Sequence, residues 1–247
     1  MTHGAADLGE GAKAKSTLAS SVYHQLREDL LRGALASESK LRVEWVVSRY
    51  GAGASPVREA LNRLASEGLL GRHDQRGFFI MPVSAAELEE LTRTRCWLEE
   101  RALRESIAHR TAEWEEHLVL ALHRLARAQR RSLEDPSSNN PDWEKLHRAF
   151  HRALISACRS HWLIGFCEQL SDQASRYRLI SQDGTGNERD DLGEHRLIAE
   201  RALDDDADGA VEALLNHYRL TAAMCMERLH QREIPGASAG RAPRGRK

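Results

Sequence analysis

Ser55-Pro56-Val57-Arg58-Glu59-Ala60-Leu61-Asn62-Arg63-Leu64-Ala65-Ser66-Glu67 decides how this 247-residue chain is read. The stretch predicts a short helix seated on one side and turned toward an anion on the other. Ser55 can cap the orphan amides of the first turn. Pro56, at the first helical position, lacks only an N–H that would have no partner there. Val57, Leu61 and Leu64 recur at i, i+4 and i+7 and form one apolar stripe. Ser55, Arg58 and Asn62 stand opposite it, at ~100° per residue. A hydroxyl, a guanidinium and an amide on one exposed face suit base edges and phosphates in a major groove.

The flanking residues turn a helix into a unit. Glu67-Gly68-Leu69-Leu70 ends it at a glycine and begins an apolar run. Gly71-Arg72-His73-Asp74-Gln75-Arg76-Gly77 then precedes Phe78-Phe79-Ile80-Met81, the pattern of a hairpin around a polar, glycine-bounded turn. Its tip carries Arg72, His73 and Arg76, suited to phosphates or a minor groove. Upstream, Leu18 to Arg32 predicts a helix with Val22, Leu26, Leu30 and Leu31 inward. Leu41 to Tyr50 predicts a second, and Gly51-Ala52-Gly53-Ala54 is the turn into the reading helix. This is the order of a winged helix-turn-helix, placed at residues 16–82. Residues 16–81 hold nine Lys or Arg against seven Asp or Glu, a net of +2, so the positions of the arginines carry the DNA reading.

Charged residues make up 30% of the chain and the net charge is −1, which excludes a globally polybasic protein. No run approaches the ~18 apolar residues of a membrane helix, so no membrane partner is expected. Residues 1–15 lack a signal-peptide core and read as a flexible tail. Residues 232–247, rich in Gly, Ala, Pro and Arg, read as a disordered basic tail. Cys96, Cys158, Cys167 and Cys225 are scattered without paired spacing, as expected of reduced thiols in a cytoplasmic protein.

Residues 84–231 predict an all-α bundle of six or seven helices, making the whole chain mainly α. Ser84-Ala85-Ala86-Glu87 has capping-box spacing and opens a helix to about His109. Thr111 caps a second, to about Arg131. After a loop at 134–140, Pro141 opens a helix through Ala157 and another runs from Ser160 to Ser181. Past a break at 184–187, two more lie near Arg189–Leu203 and Asp206–His230.

Charged and titratable groups fall on inward faces of these helices. Arg95 and Glu99 lie within the stripe of Leu88, Leu91, Leu98 and Ala102. Either they form an internal i, i+4 ion pair or Arg95 grips a ligand carboxylate, for which its planar fork is suited. His147 and His151 are one turn apart on a helix whose core side is Trp143, Phe150, Leu154 and Cys158. His195 and His217 stand on or beside the apolar stripes of two further helices. Hydrogen-bonded core histidines and a shared metal both fit this pattern.

The chain from Leu41 to Gly77 resembles the N-terminal domain of the GntR family of bacterial transcription regulators. The resemblance rests on Ser55-Pro56-Val57-Arg58-Glu59-Ala60-Leu61, Arg63-Leu64, Glu67-Gly68-Leu69 and Arg76-Gly77-Phe78. It implies DNA contacts from Arg58 and from the wing matching His73 to Gly77. The family's usual Ser-Arg before the Ser/Thr-Pro is Gly53-Ala54 here, which removes one DNA contact. Residues 84–230 resemble the FCD domain of the family's FadR branch, through Arg95, Glu99, His147, Phe150-His151, Glu194-His195 and His217. Metal-containing members use an aspartate and three histidines; His147 stands at the aspartate position, as metal ligand or effector contact, and His151, His195 and His217 at the others. Imidazole in place of carboxylate favours Zn²⁺ or Ni²⁺ over Mn²⁺. The resemblance implies a homodimeric, ligand-responsive repressor binding double-stranded operator DNA, a divalent metal and a small carboxylate effector at Arg95 and Glu99, with no catalytic residues. A metal-dependent enzyme fused to a DNA-binding module and a nonspecific DNA binder are the alternatives.

Overall fold

A computed structural model of the chain describes residues 17–31, 34–35, 40–73, 77–131, 140–180 and 189–233. The expected tail at 1–15, most of that at 232–247, the loops around 134–139 and 184–187, and Arg76 lie outside the described residues.

The N-terminal unit runs α1 (Leu18–Leu31), β1 (Lys40–Leu41), α2 (Val43–Tyr50), α3 (Ala54–Ser66), β2 (Leu70–His73) and β3 (Gly77–Ile80). Its core joins Val22 and Leu26 of α1 to Val46 of α2, Val57, Leu61 and Leu64 of α3, and Phe78 and Ile80 of β3. The strands form an antiparallel sheet in the order β1-β3-β2, with Arg72 opposite Phe78 and His73 opposite Gly77. Gly77 holds φ +84°, a left-handed conformation that a side chain would strain.

Two expectations for this unit are corrected. Leu41 does not start a helix: Lys40–Leu41 pairs with Phe79 and Phe78, Arg42 is extended, and α2 begins at Val43. Nor does Ser55 cap α3. The helix starts at Ala54 behind an extended Gly53 that makes no side-chain cap bond, which places Ser55 at the second helical position. Pro56 is tolerated at the third because the first four amides of a helix lack intrahelical partners.

Six helices follow among the described residues: α4 (Ala85–Ala108), α5 (Ala112–Arg127), α6 (Pro141–Ile155), α7 (His161–Ile180), α8 (Asp191–Leu203) and α9 (Ala207–Glu233). Ser84 and Thr111 cap α4 and α5, accepting from Glu87 N and Trp114 N at 3.2 Å each. The fifth helix ends four residues before Arg131, and α9 runs two residues into the segment read as tail. One core spans all six helices, α4 to α9, with Phe150, Leu154, Ile198 and Leu214 fully buried. All four cysteines are buried free thiols. No described helix is long and apolar enough to cross a membrane.

The two units touch along α1 and α7. Arg27 of α1 pairs with Asp172 of α7, and Gln169 and Gln173 donate to the carbonyl of Glu67 at 3.3 and 3.2 Å. Arg176 donates to the carbonyl of Met81 at 2.5 Å, holding the joint into α4.

Candidate functional site

Two places concentrate functional chemistry. On the first, α3 is seated by Val57, Ala60, Leu61 and Leu64, each at most 1% exposed, which turns Ser55, Arg58 and Asn62 to solvent. Arg72 at the end of β2 donates to the Asn62 side-chain oxygen at 3.3 Å, joining wing to helix. His73 stacks on Phe79, with ring centroids 4.6 Å apart. Phe79 in turn lies over Gly71, where a Cβ would come within 2.1 Å of its ring. Ser55, Arg58, Asn62, Arg72, His73 and Gly77 are all exposed, on α3 and the adjoining hairpin.

The second place is inside the bundle. His147 and His151 of α6, His195 of α8 and His217 of α9 are buried, and one ring nitrogen from each lies within 4.8 Å of the others. The spacing 147/151 puts two rings on the inner face of α6, and Trp143 stacks on His147 one turn earlier. Around the rings, three partners set the tautomers. Nδ1 of His195 meets the carbonyl of Asp191 at 2.5 Å, and a carbonyl only accepts, so Nδ1 carries the proton. His217 Nδ1 likewise donates to Glu194 at 2.8 Å. Tyr218 donates to Glu99, so its oxygen accepts from His151 Nδ1 at 3.1 Å. In each case Nε2 is left with a bare lone pair.

Burial opposes ionisation of the Glu194 carboxyl, yet hydrogen bonds from Arg189 and His217 pull it down to about 2. The imidazoles move the same way for a different reason. Burial pushes all four down, reinforced by neighbouring imidazoles and arginines, to about 3 for His195 and about 4 for His217. The four are therefore neutral at neutral pH, the form that binds metals.

These residues suit a divalent ion on two counts. His195 Nε2 is buried with no hydrogen-bond partner among the described residues. Nε2 atoms of His147 and His151 lie 3.2 Å apart, close enough to face one ion together or for His147 to donate an Nε2 proton to His151. Anchoring of the outward nitrogens by a carbonyl, a carboxylate and a tyrosine is the outer arrangement that orients imidazole ligands.

Arg95 and Glu99 form the internal pair, Nε to Oε1 2.6 Å, both buried, with the guanidinium 3.8 Å from the Tyr218 ring centroid. Sequence reasoning missed the other cations here. A small cavity of about 50 Å³ between His147 and His217 is lined also by Arg95, Arg130, Arg178 and Arg189. Arg130 lies over Trp143 and pairs with Asp191, while its buried Nε has no partner among the described residues. No periodicity marked Arg130 and Arg189, because they lie just outside helices and reach inward from the ends, whereas Arg178 lies in the last turn of α7.

Comparison with known proteins gives these two places a common setting. Residues 18–80 match the family described as bacterial regulatory proteins, gntR family, and residues 90–220 match the FCD domain. The chain is similar to the HTH-type transcriptional regulator BphR of Paraburkholderia xenovorans, 37% identical over 201 residues, covering 81% of this chain and 82% of that one. It is also similar to the HTH-type transcriptional repressor GlaR of Escherichia coli, 33% identical over 64% of this chain and 71% of GlaR. The solved structure of E. coli McbR/YncC shares the fold, with TM-score 0.73 at 22% identity over 86% of this chain and 99% of that one. These families and relatives are transcriptional regulators, not enzymes.

Proposed function

The chain belongs to the GntR family of bacterial regulatory proteins and carries an FCD domain, and on that premise we propose a homodimeric, ligand-responsive repressor whose DNA affinity is set by occupation of the histidine chamber. The observation that carries the reading is the convergence of four neutral imidazoles behind an exposed helix face bearing Arg58. As members of the family bind operator DNA, two copies of α3 would enter successive major grooves, about 34 Å apart. Ser55, Arg58 and Asn62 would read bases and phosphates, and Arg72, His73, Arg76 and Gly77 would lie along the backbone. Likeness to a relative named as a repressor supports repression.

His151, His195 and His217 would hold a divalent ion, with His147 as fourth ligand or as a contact to the effector. An all-imidazole set favours zinc, then nickel, over manganese. When bound, such an ion supplies Lewis acidity toward an anion. Of the arginines around the chamber, Arg130, whose buried Nε has no partner among the described residues, foremost orients a small carboxylate there. Arg95, engaged with Glu99, forms the wall through which Tyr218 and His151 are held.

The test is binding of DNA from upstream of the protein's own gene, followed by fluorescence anisotropy. Arg58→Ala should weaken specific binding by about tenfold or more, since a well-placed base contact contributes ~1–3 kcal/mol. Zinc content should stay at the wild-type level. Unchanged DNA affinity in Arg58→Ala would overturn the reading.

A further inference from the structure

The chamber and the DNA-binding unit share a helix face. The helix α6 turns His147 and His151 inward, and on its other side Lys145, Arg148 and Arg152 recur at i, i+3 and i+7 as a basic row. Each meets an acid: Lys145 lies 3.7 Å from Glu28 of α1, Arg148 pairs with Asp172 of α7, and Arg152 with Glu168 of α7. Of the three acids only Asp172 is buried, 8% exposed, and it accepts from a second cation, Arg27 of α1. One carboxylate therefore bridges a residue adjacent to His147 and the first helix of the DNA-binding unit. Arg27, Arg148, Arg152, Glu168 and Asp172 line a cavity of about 440 Å³ between the two units, which reaches Arg95, Glu99 and His151.

We propose that Asp172 is the coupling residue of this protein, a shared carboxylate through which the position of α6 at the histidine chamber sets the position of α1, and so of α3, in the DNA-binding unit. The inference rests on the ligand-responsive reading above. Any shift of α6 on closing its imidazoles around an ion moves Arg148, which holds Oδ1 of Asp172 while Arg27 holds Oδ2, so the displaced carboxylate carries the shift to α1. The exposed Lys145–Glu28 contact, with water on both sides, transmits little. Such a bond biases two placements only by its difference in strength between them.

Amide hydrogen exchange of the full-length protein, with and without Zn²⁺, tests this. In the wild type, zinc should slow exchange in α6 and also in α1. In Asp172→Asn, zinc should still slow α6 while its effect on α1 falls by about fivefold or more, in the range of ordinary coupling. Arg27→Gln, which breaks the same bridge from the partly exposed side, should repeat this result and guards against misfolding of the first variant. An undiminished α1 response in both variants, or a wild type in which α6 responds and α1 does not, overturns the coupling role alone. A wild type in which neither helix responds refutes the metal chamber itself, and the coupling with it.

Discussion

His195 and His217 are kept neutral by burial, and that has a consequence for stability. Their folded values, about 3 and about 4, lie below the ordinary 6.5, so the unfolded chain takes up protons first as pH falls. The stabilisation is complete above about pH 6.5 and is lost as pH drops toward the folded values. Between about pH 7 and about pH 5, each of these groups should remove on the order of 2 kcal/mol from the metal-free protein. Urea unfolding at the two pH values measures it, and His195→Asn with His217→Asn should flatten the dependence. At this scale the sequence was informative about which side chains turn inward, because helical spacing fixes a face. It could not reveal that Glu194 and Tyr218 meet Nδ1 of His217 and His151, since these arrive from chain that only packing brings near; the Asp191 carbonyl, one turn before His195 on α8, is the local exception.

Helix starts show what local sequence controls and what it does not. The start of α4 has Ser84 accepting from Glu87 N, and the Glu87 carboxylate is engaged by Tyr177 instead of closing the capping box. Gly53 at the start of α3 offers no such bond, although a Cβ there would meet only Pro56 at an ordinary 3.8 Å. Ser84→Ala should therefore cost about 1 kcal/mol, and Gly53→Ser should return a few tenths; thermal unfolding of the two variants should shift in opposite directions. The alternative start at Ser55 was equally plausible from the residues, because serine and glycine both serve as caps. β1 was not legible at all. A strand of two residues has no period, and it exists because Phe78 and Phe79 are there to pair with it.

Across the molecule, the core of the N-terminal unit and the main core of the bundle are joined by polar contacts along α1, α7 and the joint after Met81. Fold class and the order of units followed from periodicity and glycine placement; the interface between them did not, because Asp172 and Arg27 look like ordinary surface charges in sequence. Zinc should stabilise the protein by about 2.7 kcal/mol at ~100 times its Kd, by mass action on the folded form alone. A thermal shift in wild type, absent in His195→Ala with His217→Ala, checks this. The lone pair of His195 Nε2 also bears on how such a protein changes over generations. It lies buried with no hydrogen-bond partner among the described residues, so in a lineage where the proposed metal site goes unfilled, substitutions of His195 by an aliphatic residue would be favoured on folding grounds alone. Loss of the proposed metal would leave its earliest trace at that one codon, before the DNA-reading face had changed.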